Sequence, residues 1–98
     1  MDGHRTAELR SLAYHREIAR RMVADPDLLK RARAVAEARL AAGVHGAKAW
    51  LEVLDAPPSV VAEVLVVEDE RMTNLRQMTP FVGVLDARTR WALWRTVR

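Results

Sequence analysis

Three histidines, one acidic run and two serines are the residues of this chain suited to acid–base, metal or nucleophilic chemistry. His4, His15 and His45 form neither a His-x-x-x-His pair nor a His-Glu-x-x-His helix motif, so a shared metal site has no support. Their contexts differ: a flexible N-terminus, a helix edge and a connector. His15, on the edge of an apolar helix stripe, reads as a partly buried histidine bonded to backbone or to a carboxylate. Glu68-Asp69-Glu70 is the only acidic cluster. General acid–base work needs two carboxylates facing one site in different environments. Three consecutive acids on a helix start spread around its axis and instead favour the positive end of the helix dipole. Ser11 and Ser59 lie in no nucleophile elbow, and Gly3, Gly43, Gly46 and Gly83 are too scattered for a phosphate loop. There is no cysteine, which removes thiol nucleophiles, disulfides and Cys-based zinc sites. The chain carries no enzyme signature, and nothing implies a cofactor or a metal.

Binding chemistry is better represented. Of 98 residues, 50% are hydrophobic and 30% charged, with a formal net charge of +3. Residues 1–49 carry +4 and residues 50–98 carry −1, and all basic residues but Lys30 and Lys48 are arginines. Arginine forks suit phosphates and carboxylates, although solvated helix faces and a GC-rich coding bias account for much of such an excess. Lys30, Arg31, Arg33 and Arg39, with Arg10, Arg20 and Arg21, make DNA binding the alternative reading. Two helices joined at Asp25-Pro26 loosely resemble a helix-turn-helix. A recognition helix, however, wants Asn, Gln, Ser or Thr reaching base edges, and residues 27–42 contain none. Near the C-terminus, Phe81, Trp91 and Trp94 lie among Arg88, Arg90 and Arg95. Trp, Phe, Met and Arg are the types enriched at protein interfaces. Trp91 and Trp94, three apart, fall near one helix face. A small core needs one such ring to close it and leaves the other for a partner.

The elements that must position these residues are helices. Glu8 to Ala24 reads as the first, with Thr6 as N-cap and Leu9, Leu12, Ala19, Met22 and Val23 in one apolar sector. Tyr14 and Ile18 extend one flank, and His15 and Arg16 disturb the stripe; a buried Arg16 would need an acidic mate. Asp25-Pro26-Asp27 stops this helix and starts the next, which runs to about Ala42 on Leu28, Leu29, Ala32, Val35, Ala36 and Leu40. Gly43 is its expected left-handed C′ residue. Ala47–Leu54 is a third helix, broken by Ala56-Pro57-Pro58, and Ser59 is a candidate cap for a fourth. Residues 60–67 are rich in valine, which favours strands. The spacing of Val60, Val61, Val64 and Leu65 nevertheless fits a helix, and a lone strand would lack a partner. Glu68 to about Met78 and Ala87 to about Val97, the latter capped by Asp86, complete the set. The expected fold is all-α: a compact bundle of five to six short helices forming a single domain over residues 1–98, with residues 1–7 flexible. No apolar run approaches the roughly 20 residues that span a bilayer, and no signal-peptide core follows the N-terminus. These features predict a cytoplasmic protein with no membrane contact.

Four strings carry a family resemblance: Ser11-Leu12-Ala13-Tyr14-His15-Arg16-Glu17-Ile18-Ala19; Asp25-Pro26 with Arg31-Ala32-Arg33-Ala34; Trp50-Leu51 with the run from Leu75 through Arg76, Pro80 and Phe81 to Leu85; and Arg88-x-Arg90-Trp91. Together, over residues 9–95, they resemble a family of small helical bacterial antitoxins. Its members pair with nucleotidyltransferase-like toxins of the abortive-infection and mycobacterial Men type. The resemblance implies a type II antitoxin that binds its cognate toxin directly, with DNA binding left open. It also implies that His15, Arg16, Arg76, Pro80, Phe81 and Trp91 are contact or organising residues rather than catalytic ones; Trp94 joins them as a partner-binding candidate on its aromatic type and its place beside Trp91. Self-association, as a homo-oligomeric structural module, is a separate third reading of the chain.

Overall fold

The structure, a computed structural model, describes residues 3–97. Six helices and no strand occur among the described residues: α1 (Gly3–Met22), α2 (Asp27–Ala41), α3 (Ala47–Leu54), α4 (Pro58–Leu65), α5 (Glu70–Arg76) and α6 (Ala87–Trp94). The all-α expectation holds, including over the valine-rich stretch, where α4 forms. Val61 and Leu65 of α4 are fully buried, one helical turn apart.

Local chemistry explains most boundaries. Gly43 adopts φ +74°, with Val44 N–H donating to Arg39 O at 2.9 Å and Gly43 N–H to Leu40 O at 3.0 Å. This paired arrangement satisfies the last carbonyls of α2, and glycine takes the left-handed turn at no side-chain cost. Pro58 occupies the first turn of α4 behind Pro57. Its missing N–H has no intrahelical partner to lose, and its fixed φ suits a helix start. Ser59, expected as the cap, is therefore already inside the helix. Asp69 and Asp86 cap α5 and α6, each accepting 2.8 Å bonds, from Met72 N–H and Thr89 N–H.

Two expectations for α1 are corrected. The helix begins at Gly3 rather than Glu8, so Thr6 lies inside it and residues 3–7 form its first turns. His4 and Arg5 reach Glu8 at 3.0 and 3.7 Å, tying this end one turn along. Residues 1–2 of the segment expected to be flexible lie outside the described residues. The buried face of α1 is also rotated. It runs through Leu12, His15, Ile18 and Met22, whereas Val23 is 73% exposed.

α1 is the spine. It packs along α4 and meets α2, α5 and α6, while α2 packs chiefly on α3. Trp50 and Phe81, each 1% exposed, fill the centre with Ile18, Met22, Leu54, Leu65 and Met72. Their rings meet edge to face, with centroids 6.1 Å apart, the arrangement that aromatic quadrupoles prefer. Each such side chain contributes about 1.5–3 kcal/mol on burial. Trp50 Nε1–H donates to Leu75 O at 2.8 Å, so its polar edge is satisfied inside the core. α6 differs from the other helices: none of its residues is fully buried.

Candidate functional site

The residues singled out in the sequence divide between the interior and one surface. His15 is fully buried between Trp50, stacked at 6.3 Å, and the edges of Tyr14 and Phe81. Its Nδ1 faces Ser11 O at 2.7 Å and its Nε2 faces Thr79 Oγ1 at 2.8 Å. A carbonyl oxygen can only accept, so Nδ1 carries a proton, and in the neutral ring Nε2 accepts from the Thr79 hydroxyl. Thr79 Oγ1 in turn accepts from Phe81 N–H at 3.1 Å. The chain of bonds is complete with a neutral ring. Burial, with the Arg76 charge adding to it, pushes the His15 pKa down to about 4, against the backbone bond to Ser11.

The same face of α1 holds residues 76–81 at two more points. Tyr14 Oη–H donates to Phe81 O at 2.5 Å, and Ser11 Oγ–H donates to Arg76 O at 3.3 Å. Two strings distant in the sequence, around residues 11–19 and 75–85, are thus brought into contact. Pro80 is buried beside them.

Arg76 is 4% exposed. Its guanidinium donates to Leu65 O at 3.1 Å and Val67 O at 2.7 Å, where α4 ends. It therefore acts as a cross-chain cap: a cation at the negative end of a helix dipole, satisfying carbonyls that the helix leaves open. Burial pulls its pKa below the ordinary arginine value, while Glu68 and Asp69 oppose the shift. Arg16 is not buried, contrary to the expectation built on its stripe position. Its side chain is 60% exposed, 3.7 Å from Glu68, a surface pair worth at most about 1 kcal/mol. With His15, Arg76 and Phe81 inside the fold, their part is to organise it. Arg16, Trp91 and Trp94 are the members of the set that reach solvent.

The acidic run does what a helix start requires. Asp69 caps α5, Glu68 faces Arg16, and all three acids are exposed. Among the described residues no three ligand-type side chains converge.

Several arginines of the DNA-binding alternative are engaged within the fold. Arg33 donates to Leu54 O at 2.7 Å, and Arg39 to Met78 O and Thr79 O, both at 3.0 Å. Arg20 and Arg21 share Glu17, whose carboxyl they hold below its ordinary pKa.

The remaining surface is built by α6, α1 and the 79–83 turn. Trp91, 61% exposed, meets Trp94 edge to face at 6.1 Å. Arg10 from α1 and Arg90 from α6 lie over the Trp94 ring at 5.2 and 6.0 Å. Beside them runs a groove of about 470 Å³, lined by Tyr14, His15, Phe81, Val82 and Trp94 with Arg10 and Arg90. Among the described residues, Arg10, Arg90 and Arg95 have no carboxylate partner. Sequence reasoning found Trp91, Trp94 and Arg90 here but missed Arg10 and Tyr14. Both come from α1, about 70 or more positions earlier, and no local pattern links them to α6.

Compared with protein-family models, with curated proteins and with solved structures, the chain finds no match in any of the three.

Proposed function

We propose that this chain acts through protein binding, as the antitoxin of a type II pair that neutralises a nucleotidyltransferase-like toxin in the cytoplasm. The observation that carries the reading is the α6 surface: an exposed Trp91 beside Trp94, bordered by arginines without acidic partners among the described residues. Interfaces concentrate their energy in such tryptophan and arginine anchors. The resemblance of the four strings supplies the kind of partner. A nucleotidyltransferase-like toxin gathers acidic residues around its catalytic metals, and an arginine-bordered aromatic surface complements such a charge. Neutralisation then follows from covering the toxin's active site or holding the toxin in an inactive form.

Co-expression with the product of the adjacent gene tests the reading. Relief of that product's toxicity, together with co-purification of the two chains, supports it. An adjacent product that remains toxic and purifies alone sinks it.

A further inference from the structure

We infer that the groove between α1, the 79–83 turn and α6 receives an acidic peptide segment of a partner protein. One apolar side chain of the segment sits against Trp94 and Val82, above Tyr14 and Phe81, and flanking carboxylates take Arg10 and Arg90. The assignment rests on the partner-binding reading above and adds the chemistry of the partner's contact segment.

Three observations carry it. The first is charge. Arg10 and Arg90 border the groove, both exposed and without a carboxylate among the described residues. The guanidinium carbons of both lie over the Trp94 ring, 5.2 and 6.0 Å from its centroid. A guanidinium oriented before binding loses less side-chain entropy when it takes a carboxylate. The second is shape. About 470 Å³ beside an indole and two further aromatic rings has room for a bulky apolar side chain. Val82, 50% exposed, forms part of the wall and is left uncovered by the fold. The third is the limited extent of the positive charge. A nucleic-acid backbone is gripped along several phosphates by a continuous basic track. Here Arg20, Arg21, Arg33 and Arg39 are already bonded within the fold, and Arg31, open on α2, does not line the groove, whose arginines are Arg10 and Arg90. One short acidic segment matches that footprint.

The test uses the full chain and fluorescein-labelled synthetic peptides read by anisotropy. One peptide carries aspartates and glutamates around a central leucine; a second replaces the leucine by glycine; a single-stranded oligonucleotide of equal charge is the third probe. The leucine peptide should bind. Affinity should fall about tenfold, the worth of one charge-assisted contact, on Arg90→Glu or Arg10→Glu and on loss of the leucine. Circular dichroism of each variant confirms an unchanged fold, and two independent sites guard against one variant misfolding. No binding of the leucine peptide overturns the inference, as does tighter binding of the oligonucleotide, or affinity unchanged in both folded variants. The two readings fail separately. If Arg90→Glu and Arg10→Glu chains still relieve toxicity in full, the groove loses its role and the antitoxin reading stands. If the leucine peptide binds but the native chain does not neutralise the adjacent gene product, the antitoxin reading alone falls.

Discussion

His15 Nε2 lies 2.8 Å from the Thr79 hydroxyl, joining α1 to the turn after α5 across 64 positions of chain. With Nδ1 donating to Ser11 O, the neutral ring offers Nε2 as the acceptor for the Thr79 hydroxyl. Proton uptake at Nε2 would break this arrangement inside a site closed by Trp50 and Phe81.

Stability should therefore depend on pH through His15. Its folded pKa, about 4, lies below the ordinary 6.5. Above 6.5 both folded and unfolded chains are neutral there and the full contribution is present. As pH falls from 6.5 toward 4, the unfolded chain binds a proton that the folded chain refuses, and stability drops by up to about 3 kcal/mol. Urea midpoints measured across this window should fall for the native chain. His15→Gln, which cannot titrate, should remove that part of the slope while lowering stability above pH 6.5. Parallel curves for the two proteins would contradict the assignment.

Arg76→Met should cost about 1–3 kcal/mol, because Leu65 O and Val67 O lose their donor at a partly closed helix end. Arg76→Lys keeps the charge but not the fork, and should recover only part of the loss. Urea unfolding with unchanged slope would register both. A native midpoint in the methionine variant would show that water satisfies those carbonyls unaided.

The two left-handed glycines around Val44-His45 should respond unequally to alanine. Gly43 has φ +74° and open space around a new Cβ, so only the backbone term of about 1 kcal/mol applies. At Gly46, φ is +88° and a Cβ would stand 2.0 Å from Met78 Sδ. Gly46→Ala should lower the melting temperature further than Gly43→Ala. Adding Met78→Ala should make the Gly46 change cost no more than the Gly43 change, with the melting temperature of Met78→Ala alone as the reference.

Trp91→Ala should leave folding within about 0.5 kcal/mol of the native value, since its ring is mostly in solvent. On the proposed reading of the α6 surface as an interface, the same change should weaken capture of the proposed protein partner by tenfold or more, about 1.4 kcal/mol. Melting curves and pull-down with the co-expressed partner separate the two effects.

Several helix boundaries were legible because their signals are local, whereas the start of α1 and the cap of α4 were not. Asp25-Pro26, Gly43, Pro57-Pro58 and the caps Asp69 and Asp86 each act within a few residues of where they stand. α4 was legible because spacing outweighs the strand preference of valine when no partner strand exists. The face of α1 was not, because a hydropathy pattern counts His15 as polar. Its burial depends on Thr79, Trp50 and Phe81, none of them near it in sequence. Arg76 is similar: a guanidinium on a short helix reads as surface until the C-terminus of α4 is placed against it. Arg33 and Arg39 read as an outer basic face and proved to be fasteners between α2 and the chain beyond it. The groove gathers residues from three separate segments, so it exists only once α1 and α6 have met.

α6 carries no fully buried residue, while Trp50, Phe81 and His15 are enclosed by other parts of the chain. Detaching this helix exposes far less apolar surface than opening the centre does, so its amides should exchange with solvent through a local excursion well below the cost of global unfolding. The segment that shapes the groove is thus also the one the fold holds least firmly. A partner bound there would slow that excursion, and the slowing, read amide by amide, would map its footprint without any substitution at all.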